Sequence, residues 1–353
     1  MIRVAIWGAA EWGKFVADRI TIFFPKAIGI EYIVDKNYEE FKGKKIEGKE
    51  VESPEILKNS EIDYVIICSR RYVEIAEALI NDFGFHNILY VEILWPERDS
   101  LYPQIKWERL KFIPYGNCNT LNIIDEISRE DGELNRIGIK QETDKASIVV
   151  EEEGSFRIGH NYLKYYERSV ERIKEPRICE FGCFRGSSLR TWKERFGNAF
   201  IVGVDIDESA KLLEEDRIEV VIGNATDYTT VELLEFKYGK FNVICDDASH
   251  AWGDIRTTFQ MMWRLLDHGG VYILEDLCCG AQGSFPQYPP KVWDAQSIFE
   301  FLLDRTRILE YGLDWNPEAN RHHFNFLPPQ IQEIEREIAT MTYLNGACIV
   351  EKR

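Results

Sequence analysis

The chain has 353 residues, long enough for two domains with full cores. Its 45% hydrophobic and 13% aromatic content fits a globular enzyme and excludes a disordered chain, and a formal net charge of −17 argues against non-specific attraction to nucleic acid or an anionic membrane. No apolar run reaches the roughly 20 residues of a membrane span, "MIRVAIWGAAEWG" lacks the features of a cleavable leader, and the eight cysteines form no CxxC pair, which fits a reducing cytosol and makes a structural zinc site improbable.

In chain order, residues 1–97 alternate strand and helix patterns: strand "RVAIWG", helix "EWGKFVADRITIFF", strands "IGIEYIVDK" and "DYVIICS", helix "YVEIAEALINDFG", strand "NILYVEIL". Such alternation predicts a parallel, doubly wound sheet. Proline-bearing residues 101–120 read as a linker, and 121–175 as a polar, helical flank or lid. From Arg177 a second alternation runs through "RICEFG", "FIVGVDID", "IEVVIGN", "FNVICDD" and "GGVYILED", with "ACIVEKR" as a closing strand. The expected fold is α/β, two Rossmann-like doubly wound domains over 1–100 and 176–353.

The first strand–helix turn, "WGAAEWGKFV", carries Gly8 and Gly13 with Ala10 in the middle, and Asp35 ends the following strand. An incomplete dinucleotide pattern of this kind supports a nucleotide site or a bare scaffold about equally. "GAAEWGKFVAD", "YIVDK" and "DYVIICS" resemble the nucleotide-sugar-binding domains that precede some sugar acetyltransferases and methyltransferases; the resemblance covers roughly the first 95 residues.

The second turn is more specific. Glu180, Gly182 and Gly186 follow a strand and open a helix at Ser187; Asp205 ends the next strand 19 residues after Gly186, and Asp227 follows a third. Glycines that let an amino-acid moiety lie on the backbone, an acid for ribose hydroxyls and a later acid for an adenine amine suit S-adenosylmethionine, whose cationic groups favour an acidic crevice.

"CDDASH" then ends a strand in Asp246 and Asp247 with His250 three residues on, and "GGVYILEDL" runs into Glu275 and Asp276. Neighbouring parallel strands lie about 4.8 Å apart, so Asp247, Glu275 and Asp276 should converge at the carboxyl edge. Close carboxylates stay ionised only beside a cation, and oxygen ligands select a hard one, Mg²⁺. His250 is then placed to take a proton from an acceptor hydroxyl held there. Against this, strand-end acids often cap helices and a turn histidine often only hydrogen-bonds.

"EFGCFRGSSLRTWKERF…VGVDID", "VICDDASH" and "LLDHGGVYILEDL" resemble the metal-dependent O-methyltransferases of sugar hydroxyls, including those of macrolide biosynthesis, over about residues 140–353. The resemblance implies a methyltransferase fold for the second domain, with Asp247, Glu275 and Asp276 as Mg²⁺ ligands and His250 as general base; Ala248 stands where that family has glycine, and Ser187 and Asp246 join Glu180, Gly182, Gly186, Asp205 and Asp227 as candidates for S-adenosylmethionine. Its "TDK" and "HxY" segments match Thr143, Asp144, Lys145, His160 and Tyr162, implying contact with cofactor or substrate. Arg321 and His322 are substrate-contact candidates; Trp252, Trp293 and Trp315 suit a sugar ring or simple packing.

The expected protein is a cytoplasmic, Mg²⁺- and S-adenosylmethionine-dependent O-methyltransferase of a sugar-bearing small molecule, a nucleotide sugar included, with no nucleic-acid partner; a homo-oligomer is compatible with it. Its rivals are a tailoring protein of the same fold without methyl transfer, and a first domain that serves only assembly.

Overall fold

The computed structural model describes residues 1–94, 109–277, 333–334, 336–344 and 346–353. It divides by internal contacts, between residues 164 and 165, into two units.

The first unit carries β1 (Ile2–Trp7), α1 (Glu11–Phe23), β2 (Ile28–Val34), β3 (Lys45–Ile46), β4 (Lys49–Glu52), β5 (Tyr64–Ile67), α2 (Tyr72–Phe83), β6 (Ile88–Leu94), β7 (Arg109–Pro114), α3 (Leu121–Glu130), α4 (Glu133–Lys140), β8 (Ile148–Val150) and β9 (Phe156–Ile158). Its nine strands are ordered β3-β4-β2-β1-β5-β6-β7-β9-β8. The middle of the sheet is parallel and fully apolar, as strands covered on both faces must be: Val4, Ala5, Ile6, Val65, Ile66 and Ile67 have no exposed surface. The expected linker and flank divide differently here. Residues 109–114 are a strand antiparallel to β6, and β8 and β9 extend the same sheet. The prolines at 103 and 114 suggested a break, yet Pro114 stands at the end of its strand, where a missing N–H is tolerated.

The second unit begins within α5 (Leu163–Val170) and continues through β10 (Arg177–Phe181), α6 (Ser187–Arg195), β11 (Phe200–Asp205), β12 (Ile218–Ile222), α7 (Tyr228–Tyr238), β13 (Phe241–Asp246), α8 (Trp252–Met262), β14 (Leu266–Leu274), β15 (Ile338–Tyr343) and β16 (Cys348–Lys352). The sheet runs β12-β11-β10-β13-β14-β16-β15. The first five strands of that row are parallel, and β16 runs antiparallel to β14 and β15. The row reverses direction between β10 and β13, and ligands of open α/β sheets bind at such a reversal, beyond the carboxyl ends of the strands. One face packs Phe181, Ile244, Tyr272, Leu274 and Val350 against Phe259, Met262 and Trp263 of the α8 segment. Burial of each such side chain stabilises by about 1.5–3 kcal/mol. That core holds the β10, β13 and β14 ends in fixed register, and those ends carry the acids.

Candidate active site

The β10–α6 turn is shaped by glycine. Gly182 has φ +87°, and a Cβ there would lie 2.2 Å from the carbonyl oxygen of Asp247. The Asp247 N–H in turn donates to the Phe181 carbonyl (3.0 Å). The glycine turn and the acid-bearing loop after β13 therefore touch, and only a residue without a side chain fits between them. Gly186 is the N-cap of α6, at φ +74°.

Glu180 serves this turn from beneath. It is buried, and its Oε2 accepts from Ser188 Oγ and Trp192 Nε1, both at 2.9 Å, fastening α6 to β10. Ser187 opens α6, and its carbonyl accepts from Thr191 Oγ1. Asp205, half-buried at the end of β11, accepts the Cys183 N–H on Oδ2 (2.8 Å) and the Asp207 N–H on Oδ1 (3.0 Å). Each oxygen keeps a further lone pair for an incoming hydroxyl. Asp227 is exposed and caps α7 through the Thr229 N–H (2.9 Å), so its carboxylate has a local structural task.

At the ends of β13 and β14, Asp247, His250 and Asp276 come together: one donor atom from each lies within 4.8 Å of the others. His250 Nδ1 stands 3.8 Å from Asp247 Oδ1. All three side chains are half-buried, and both His250 (φ +55°) and Asp276 (φ +50°) hold left-handed backbone that costs side-chain-bearing residues energy. Two carboxylates at this separation repel, and a divalent cation between their oxygens would remove that repulsion. Glu275 lies apart from the trio. It is buried, its N–H donates to the Asp246 carbonyl (3.0 Å), and its Oε1 accepts from Cys245 Sγ (3.0 Å). Strand alternation turns Glu275 to the Cys245 side, which adjacency in sequence to Asp276 could not reveal.

Asp246 faces the opposite, apolar side of the sheet. It is 2% exposed, its Oδ2 has no hydrogen-bond partner, and burial, reinforced by the Asp247 and Asp254 charges, pushes its pKa up to about 8. A carboxyl neutral in the fold but ionised in the unfolded chain near pH 4 makes the folded state bind the extra proton between those values. Stability should therefore fall as pH rises from about 4 to about 8. Asp246→Asn should flatten that slope; melting temperatures measured across this range check it, and an unchanged slope removes Asp246 as its source.

In the first unit, Gly8 has φ +122°, and a Cβ on Gly13 would lie 1.7 Å from the Gly8 carbonyl, so α1 seats directly on the turn. Asp35 accepts the Ala9 N–H on Oδ2 (2.9 Å) and the Asn37 N–H on Oδ1 (2.8 Å), the same arrangement as Asp205. The "TDK" and "HNY" segments also meet in this unit. The Tyr162 N–H donates to the Lys145 carbonyl (2.8 Å), His160 Nε2 lies 3.8 Å from Asp144 Oδ2, and Thr143, Lys145 and Tyr162 are buried. Arg321, His322, Trp293, Trp315, Cys278 and Cys279 fall outside the described residues, and Trp252 opens α8.

Two family models match: "C2185-like, N-terminal" over residues 1–87 and "Methyltransferase domain" over residues 179–274. The second unit is a methyltransferase fold, in an α/β chain with two sheets. Among curated proteins, the chain is 34% identical over 127 residues to demethylmacrocin O-methyltransferase of Streptomyces fradiae, covering 33% of this chain and 32% of that protein. It is 33% identical over 204 residues to 8-demethyl-8-alpha-L-rhamnosyl tetracenomycin-C 2'-O-methyltransferase of Streptomyces olivaceus, covering 55% of this chain and 50% of that protein. The chain thus spans half or less of the length of these relatives. Among solved structures, the MycE methyltransferase of mycinamycin biosynthesis, in complex with Mg, SAH and mycinamycin VI, aligns at TM-score 0.48 and 20% identity over 66% of this chain and 58% of that one. No helix among the described residues is long and apolar enough to cross a membrane.

Proposed function

We propose that this chain is an S-adenosylmethionine- and divalent-metal-dependent O-methyltransferase acting on a sugar hydroxyl of a nucleotide sugar, a polysaccharide precursor or a glycosylated natural product. One observation carries the reading: the Asp247–His250–Asp276 group borders the glycine turn directly, through Gly182 packed on the Asp247 carbonyl. The match of residues 179–274 to a methyltransferase domain and the O-methyltransferase names of the relatives, one of them on a rhamnosyl compound, support it.

In this reading the turn at Gly182–Gly186 receives the methionine moiety of the donor, and Asp205, already oriented by the Cys183 and Asp207 N–H groups, accepts from the ribose hydroxyls. Asp246, expected from the sequence beside the donor, is turned into the apolar side of the sheet and takes no part in this reading. When bound, S-adenosylmethionine supplies an activated methyl group. Asp247 and Asp276 hold the cation, Mg²⁺ in the simplest case, with Glu275 as the buried carboxylate behind them. Such an ion supplies positive charge where the acceptor oxygen loses its proton. His250, whose Nδ1 lies 3.8 Å from Asp247 Oδ1, takes that proton as general base. In the first unit, Gly8, Gly13 and Asp35 would receive a nucleotide, and Thr143, Asp144, Lys145, His160 and Tyr162 are proposed as ligand contacts.

The decisive experiment is a screen of nucleotide sugars and glycosylated acceptors for methyl transfer with and without Mg²⁺; no product under any condition sinks the reading. Asp205→Ala should weaken donor binding by about 1–3 kcal/mol through unpaired ribose hydroxyls. Titration calorimetry with the demethylated donor checks this, and unchanged affinity removes Asp205 from the site.

A further inference from the structure

We infer that Cys245 is a positioning residue for the cation site: its thiol, through Glu275, ties together the two strand ends that carry Asp247 and Asp276. The inference rests on the reading of those residues as cation ligands.

Cys245 and Glu275 are both buried, 0% and 2% exposed, on adjacent strand ends. In the β13–β14 ladder Cys245 pairs with Ile273 and Asp246 with Leu274. The next step along β14 is Glu275, which is tethered twice: its N–H to the Asp246 carbonyl (3.0 Å) and its Oε1 to the Cys245 thiol (3.0 Å). Both tethers start at Glu275, one residue before Asp276, and they end at Asp246 and Cys245, one and two residues before Asp247. Together they hold the two loops at the separation that brings their donors within 4.8 Å.

The chemistry suits this task. A thiol is a weak donor that reads as a small apolar side chain, so it accompanies a carboxylate into a dry strand interior at little cost. It also removes one lone pair of Glu275 from play. Orienting partners one step removed from a metal typically affect its affinity 10–100-fold when lost. A residue that only filled space would not distinguish serine from alanine, whereas a donor would.

The test uses the full chain and Mn²⁺ alone, read by electron paramagnetic resonance of the free ion, with melting temperature recorded on the same samples. Cys245→Ala should weaken Mn²⁺ binding about 10-fold. Cys245→Ser, which keeps a donor, should stay within about 3-fold of the unaltered protein, although both variants lose packing and melt lower. Should the alanine variant fail to fold, Cys245→Val takes its place, filling the volume without a donor. Equal shifts in the serine and donor-less variants, or no shift in either, overturn the positioning role while leaving the cation site standing. Absence of Mn²⁺ binding by the unaltered protein overturns the cation site itself, and the inference with it.

Discussion

Replacing His250 with Gln or Ala should cost about 10²–10⁴-fold in turnover, the usual contribution of a positioned proton acceptor. Fold, donor affinity and cation affinity should survive. The structure adds a reason for scrutiny. His250 sits at φ +55°, so either substitution retains a strained backbone and both should melt at similar temperatures. If His250 serves only the loop after β13, its variants will be destabilised yet turn over normally in whatever stays folded. Single-turnover rate and melting temperature on one sample separate the two, and a destabilised but fully active variant ends the base assignment.

The second large effect is expected on removing the cation. Chelator should abolish turnover and Mg²⁺ restore it, while binding of the demethylated donor persists, since the Gly182 turn and Asp205 are held by hydrogen bonds within the chain rather than by an ion. Asp247→Asn and Asp276→Asn each halve the carboxylate charge facing the site. Each should weaken cation affinity by more than the 10–100-fold typical of orienting partners. Glu275→Gln should do less than either, because Glu275 stands behind the trio with Cys245 on Oε1. Calorimetric titration with Mg²⁺ or Mn²⁺ measures all three. Full turnover in excess chelator would remove the cation from the mechanism, and a Glu275→Gln effect exceeding that of Asp276→Asn would place Glu275 among the primary ligands.

Much of this was legible from residue order alone. Short continuous apolar runs separated by helical patterns specify parallel strands with covered faces, so β1, β2, β5, β10, β11, β13 and β14 follow from their own composition. Strand-end positions follow too: an acid that closes an apolar run must lie at a sheet edge, which located Asp35, Asp205, Asp247 and Asp276. The closing "ACIVEKR" strand was recognisable, and it pairs antiparallel with β14. The strands within residues 109–164 were not. Short strands such as β8 and β9, three residues each, carry too little periodicity to be told from loop, and their membership in the first sheet depends on partners far along the chain.

The sequence by itself determined which residue types stand at the carboxyl edge, since strand period and turn glycines are local properties. Only the tertiary structure decided which way each side chain points and what already occupies it. Asp246 and Asp247 are neighbours, yet strand alternation sends Asp246 into the apolar core and leaves Asp247 beside His250. Glu275 and Asp276 divide the same way, one onto Cys245 and the other into the trio. Asp227 spends its carboxylate on a helix cap, and Glu180 spends its own on Ser188 and Trp192. A run of acids states a supply of charge; the register of adjacent strands and the hydrogen bonds already made determine which of those charges remain for a ligand.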